Sequence, residues 1–208
     1  MKKSLLIALI LSLARIVFAE EARTGGAREE EGIWHEDEVG KGFQRGAQYL
    51  GLSFGIGLGT RGGERSHDIV LGTLRYGALI SEMLGEGKFY GGNFEFGAEV
   101  FGGTQFRSDW AYIVGGAPMV RYNVATGTRW VPFLEAGFGV TNTDIKGEDL
   151  STTLQFKSET GVGTHYFLSR NKAITAQYHF FHLSNGGVEK PNGGVNINLF
   201  SLGVSVFF

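Results

Sequence analysis

The 208 residues suffice for one domain, and a composition with 34 Gly, 3 Pro and no Cys excludes a disulfide scaffold and thiol chemistry. The 19 basic and 21 acidic residues give a formal net charge of −2. They form neither the basic stripe of a nucleic-acid binder nor, with the glycines, a phosphate loop between a strand and a helix.

Met1 to Ala19 reads as a secretory signal: Lys2 and Lys3 lead, an apolar core follows, and Val17-Phe18-Ala19 offers a small-residue cleavage pattern. Arg15 interrupts the core, and no later apolar run is long enough for a helix to cross a bilayer. Glu20 to Gly46 carries eight acidic against four basic residues without alternation or helical periodicity. This predicts an acidic, mobile periplasmic extension over 20–46, ahead of a folded region at 47–208.

From Gln48 onward apolar residues alternate with small or polar ones, the period of a strand with two unlike faces. Leu50, Leu52, Phe54, Ile56 and Leu58 alternate with Gly51, Ser53, Gly55, Gly57 and Gly59. The pattern recurs with Val70, Leu74, Tyr76, Ala78 and Ile80, and again with Phe94, Phe96, Ala98 and Val100. Fourth and fifth runs contain Tyr112, Val114, Val120, Tyr122 and Val124, then Leu134, Ala136, Phe138 and Val140. The sixth spans Leu154 to Leu168, the seventh Ala173 to Ser184 and the eighth Asn196 to Phe208.

Eight such strands predict an all-β fold, an eight-stranded antiparallel β-barrel. Alternation alone does not separate a transmembrane barrel, apolar outside, from a lipocalin-like one, apolar inside. The secretory signal, the glycines of the polar face and the terminal run Phe200, Leu202, Val204, Val206, Phe208 favour the membrane. That terminal strand resembles those of outer-membrane barrels and implies insertion by the barrel-assembly machinery. Arg75, Arg121, Lys157, Glu95, Glu99, Glu135 and Glu159, with His165 and His179, would then face inward as a mutually neutralising plug. With both termini periplasmic, the seventh strand runs to the cell surface.

The end of that strand opens the most distinctive stretch, HLSNGGVEKPNGGVN from His182 to Asn196. Residues i and i+2 of a strand share a face, so His182 and Ser184 lie side by side on the apolar face with Phe180, Tyr178, Ala176 and Ile174. A histidine so placed can take the proton that makes serine a nucleophile. A catalytic pair on the greasy face suits a lipidic substrate.

HLSNGG followed by PNGG and Val-Asn, between the last two strands, resembles the lipid A 3-O-deacylase (PagL) family of outer-membrane barrels, as does WVPFLEAGFGV from Trp130 to Val140. The resemblance implies hydrolysis of the ester-linked acyl chain at the 3-position of lipid A, with Ser184 as nucleophile and His182 as general base. It makes Asn192 an oxyanion-hole residue, Asn185 the asparagine that directly follows the serine, and Gly187 a position in the same turn whose missing side chain lets a backbone amide approach the developing oxyanion. Where the family pattern has a glutamate, this chain has Asn196, which orients a histidine but supplies no charge; Glu189, Asp144, Glu148 and Asp149 are other candidates for the acid.

The expected protein is thus an outer-membrane ester hydrolase needing no metal and no organic cofactor. Its partners would be lipid A or lipopolysaccharide as substrate, outer-membrane lipids and the assembly machinery, with no nucleic acid; a homodimer and acyl transfer in place of hydrolysis stay open. The alternative is a non-catalytic structural or adhesive barrel.

Overall fold

The computed structural model describes residues 45–60, 67–107, 109–145 and 149–208. The expected signal and acidic extension, apart from Arg45 and Gly46, lie outside the described residues, as does Glu148. Eight strands follow one another: β1 (Gln48–Gly59), β2 (Ile69–Leu79), β3 (Gly92–Gln105), β4 (Ala111–Val124), β5 (Trp130–Thr143), β6 (Leu154–Phe167), β7 (Lys172–Ser184) and β8 (Val195–Phe207). Each pairs antiparallel with its neighbours, and β1 pairs with β8, closing the barrel. Closure leaves no sheet edge, the condition for a sheet to cross hydrocarbon.

Burial decides which face of the alternation is inside. Phe138, Leu202 and Val100 are 59%, 61% and 59% exposed, whereas Arg121 and Glu95 are 2% and 3% exposed. Apolar side chains therefore cover the outside and charges fill the inside, the arrangement of a membrane barrel. Trp130, Tyr76, Tyr122 and Tyr90 project near the end where β1 begins and β8 ends, as an interfacial aromatic belt does.

The interior charges are paired. Arg75 bonds Glu99 at 2.6 Å and Glu135 at 2.7 Å, while Arg121 bonds Glu135 at 3.0 Å and approaches Glu95 at 3.4 Å. Lys157 bridges Glu99 and Glu159, each at 2.6 Å, and His179 bonds Glu135. Such a cluster keeps buried charges from standing alone and fills the lumen. Room is short there: a Cβ at Gly161 would come within 2.1 Å of His179 Cδ2.

At the end opposite the start of β1, an apolar layer caps the charges. Ile69, Leu71, Ile113, Phe181, Leu183, Val195 and Ile197 pack with Ile145 and Leu150 of the β5–β6 loop. That packing holds the β5–β6 loop beside the β7–β8 connection, where the candidate site lies.

Candidate active site

β7 leaves the barrel with His182 and Ser184 on its outer face, both half-buried. His182 sits opposite Ser158 of β6 and Asn196 of β8, and Ser184 opposite Phe156. The cross-strand pairing with Asn196 brings side chains together: His182 Nδ1 lies 2.7 Å from Asn196 Oδ1. A carboxamide oxygen only accepts, so Nδ1 carries the proton and Nε2 keeps its lone pair. That is the tautomer a general base needs. Among the described residues Ser184 Oγ makes no hydrogen bond to His182. Cβ atoms two apart on a strand are separated by about 6.8 Å, and such contacts often close only when substrate is bound.

The imidazole is held from a second side. Gly194 has φ +78°, and a Cβ there would lie 2.6 Å from His182 Cε1 and 3.4 Å from Nε2. Only glycine combines this backbone with so close an approach. Sequence reasoning assigned Gly194 no role, although the PNGG run carries it.

The β7–β8 connection is organised by Asn185. Its Oδ1 accepts from Gly187 N at 2.8 Å, a turn that Asn and Asp side chains make readily. Its Nδ2 donates to Glu189 O at 2.7 Å and to Ser151 Oγ at 3.0 Å. Asn185 N in turn donates to Asn192 Oδ1 at 3.0 Å. The backbone amides of Asn185 and Gly187 are thus both engaged within the turn, while the bond to Asn192 leaves that side chain's Nδ2 as a donor at the site.

The β5–β6 loop buttresses this turn. Gly194 N donates to Asp149 O at 3.0 Å, and Ser151 Oγ donates to Glu189 O at 3.2 Å. Asp149 Oδ2 is 3.0 Å from His67 Nε2, and His67 Nδ1 is 2.6 Å from Gln105 Oε1, the Gln105 amide donating to Asp109 O. His67 is a buried tie between the β1–β2 and β5–β6 connections. No short-range pattern could reveal it, since its partners lie 38 and 82 residues away in sequence.

Among the described residues, the remaining acid candidates stand apart from His182. Asp144 accepts from Tyr112 N at 2.7 Å, Asp149 faces His67, and the Glu189 side chain is exposed. Asn196 is the residue whose side chain bonds the histidine. Among the described residues no group of three or more His, Cys, Asp or Glu could hold a metal ion.

Residues 101–205 match the family described as Lipid A 3-O-deacylase (PagL). The structure is similar to that of Neisserial surface protein A (TM-score 0.59, 16% identity, covering 78% of this chain and 99% of that one). It is also similar to the outer membrane enzyme PagL (TM-score 0.53, 19% identity, covering 75% of this chain and 98% of that one). At these identities the two likenesses speak for the barrel fold. No curated protein sequence matches the chain.

Proposed function

Because the chain belongs to the lipid A 3-O-deacylase (PagL) family, we propose that it hydrolyses the ester-linked acyl chain at the 3-position of lipid A from the lipid-facing wall of an outer-membrane barrel. The observation that carries this reading is the His182–Asn196 bond on the outer face, two residues from Ser184. A histidine held with Nε2 free, beside a serine and facing the acyl chains, has ester hydrolysis as its natural chemistry.

In the first half-reaction Ser184 Oγ gives its proton to His182 Nε2 and attacks the ester carbonyl carbon. Asn192 Nδ2 donates to the carbonyl oxygen as it becomes an oxyanion, with Asn185 and Gly187 holding the turn that carries Asn192. Collapse breaks the bond to the sugar 3-oxygen, which leaves with the proton from His182. Water then gives a proton to His182, attacks the acyl-serine and releases the fatty acid, and Ser184 recovers its proton. Asn196 orients the imidazole throughout but offers no negative charge to the imidazolium. This predicts a slower enzyme than one with a carboxylate at that position.

The test is release of fatty acid from purified lipopolysaccharide by the detergent-solubilised barrel. The native protein should release one hydroxyacyl chain per lipid A, and folded Ser184→Ala and His182→Ala variants should release none above background. Equal release by native and Ser184→Ala protein would remove serine from the mechanism. No release by any of the three would favour a non-catalytic barrel.

A further inference from the structure

Two acceptors flank one buried histidine at the end of the barrel that carries Ser184. Gln105 Nε2 donates to the backbone oxygen of Asp109 at 2.9 Å, so the carboxamide turns its Oε1 to His67 Nδ1, 2.6 Å away. An amide oxygen only accepts, and Nδ1 therefore carries a hydrogen. On the other side of the ring Nε2 lies 3.0 Å from Asp149 Oδ2. A neutral imidazole protonated at Nδ1 would point a lone pair at that carboxylate, with both residues only 5% exposed. A second proton, held between Nε2 and Oδ2, turns the contact into a hydrogen bond.

Among the described residues His67 is the side chain bonded to the Asp149 carboxylate. The cation nearby, Arg107, is committed to Asp68 at 2.8 Å, and Asp109 is exposed. The backbone of Asp149 is what reaches the site. Its oxygen accepts from Gly194 N at 3.0 Å, and Gly194 lies so close to His182 that a Cβ would meet Cε1 at 2.6 Å. Leu150, 1% exposed, anchors the next residue in the apolar cap. One hydrogen bond and one van der Waals contact thus connect the His67 tie to the imidazole beside Ser184.

We propose that His67 is a positioning residue for this site, acting through Asp149 and Gly194, and that its tie to Asp149 closes only when the pair holds the second proton. The positioning role rests on the reading of Ser184 and His182 as the ester-cleaving pair; the proton in the tie does not. A histidine in open water gives up its proton at about pH 6.5. Below that, an opened loop already carries the proton, and closing is unopposed. Above it, closing takes a proton from the solvent, so the tie weakens about tenfold for each pH unit. The hold on Gly194 is therefore complete in acid surroundings and is lost as the pH rises.

The experiment is hydrogen exchange of the Gly194 amide in the folded native barrel from about pH 5.5 to about pH 8.5, corrected for the pH dependence of intrinsic exchange. Protection should fall about tenfold per pH unit above about pH 6.5. In Asp149→Asn the new amide donates to Nε2 of a neutral imidazole, so the tie closes without the second proton and protection should stay level. Level protection in the native barrel, or a fall that persists in Asp149→Asn, overturns the proposal. Should Asp149→Asn fail to fold, magnetic resonance of the native chain with isotope-labelled histidine at about pH 7 decides. A hydrogen in the bridge between His67 Nε2 and Asp149 upholds the proposal, and a ring with hydrogen on Nδ1 alone overturns it. Hydrolysis of lipopolysaccharide is read over the same range as the ratio of native to Asp149→Asn rates, which cancels the titration of His182. That ratio should fall as the pH rises; a constant ratio with falling protection overturns the positioning role. Falling protection in a native barrel that cleaves no lipid keeps the proton-dependent tie and rejects the catalytic reading.

Discussion

His182 Nδ1 and Asn196 Oδ1 lie 2.7 Å apart across the β7–β8 pair, on the outside of the barrel. An asparagine in that place fixes ring orientation and tautomer but stabilises the imidazolium only as a dipole. Asn196→Asp, of nearly the same shape, adds the missing charge and should raise kcat for ester hydrolysis about tenfold, one part of the range ascribed to acid–base groups. Asn196→Leu should lower it about a hundredfold. Steady-state hydrolysis of lipopolysaccharide by the three proteins checks both directions.

Gly194 should tolerate no side chain. A Cβ there meets His182 Cε1 at 2.6 Å, on a backbone at φ +78° that L residues adopt at a cost. Gly194→Ala should therefore turn the imidazole away from Asn196. We expect at least about a tenfold loss of kcat, with a folded barrel destabilised by about 1–2 kcal/mol. Activity and urea midpoint measured together separate the two effects.

His67 should matter to a site it does not touch. It joins Asp149, whose backbone oxygen accepts from Gly194 N. His67→Ala leaves the buried Asp149 carboxylate without its hydrogen-bond partner, a loss of about 1–3 kcal/mol or more. The predicted result is new protease cleavage in the β5–β6 loop and loss of activity. His67→Ala with Asp149→Asn should restore part of the protection, because the unpaired charge is gone.

Glu135 serves the lumen and not the outer face. It accepts from Arg75, Arg121 and His179. Glu135→Gln should lower the temperature at which the barrel loses its compact electrophoretic form, consistent with about 3–5 kcal/mol for breaking a buried charge network. Hydrolysis by the folded fraction should be unaffected, since the bonded network does not reach Ser184.

Much of this was legible in the alternation. The strands beginning at Gln48 and ending near Ser184 and Phe208 appear in the structure within a residue of their expected bounds. The third strand extends to Gly92–Gln105, beyond the clear alternation of Phe94 to Val100. Gly102, Gly103 and Thr104 carry no hydrophobic signal, and pairing with β2 and β4 is what makes them strand. Periodicity could not say which face was inside; the burial of Arg121 and Glu95 does. In the site, the i, i+2 relation put His182 and Ser184 on one face, and parity put Asn196 on the same side. The roles of Gly194 and His67 were not readable, because each acts through a contact between segments that only barrel closure brings together.

The central claim is that Ser184 removes an acyl chain from lipid A, and mass spectrometry of lipid A from a Gram-negative host tests it most directly. Cells carrying the native chain should contain lipid A lighter by one ester-linked 3-position hydroxyacyl group, and cells carrying membrane-inserted Ser184→Ala protein should not. Unchanged lipid A in both, with both barrels folded in the membrane, would contradict the account.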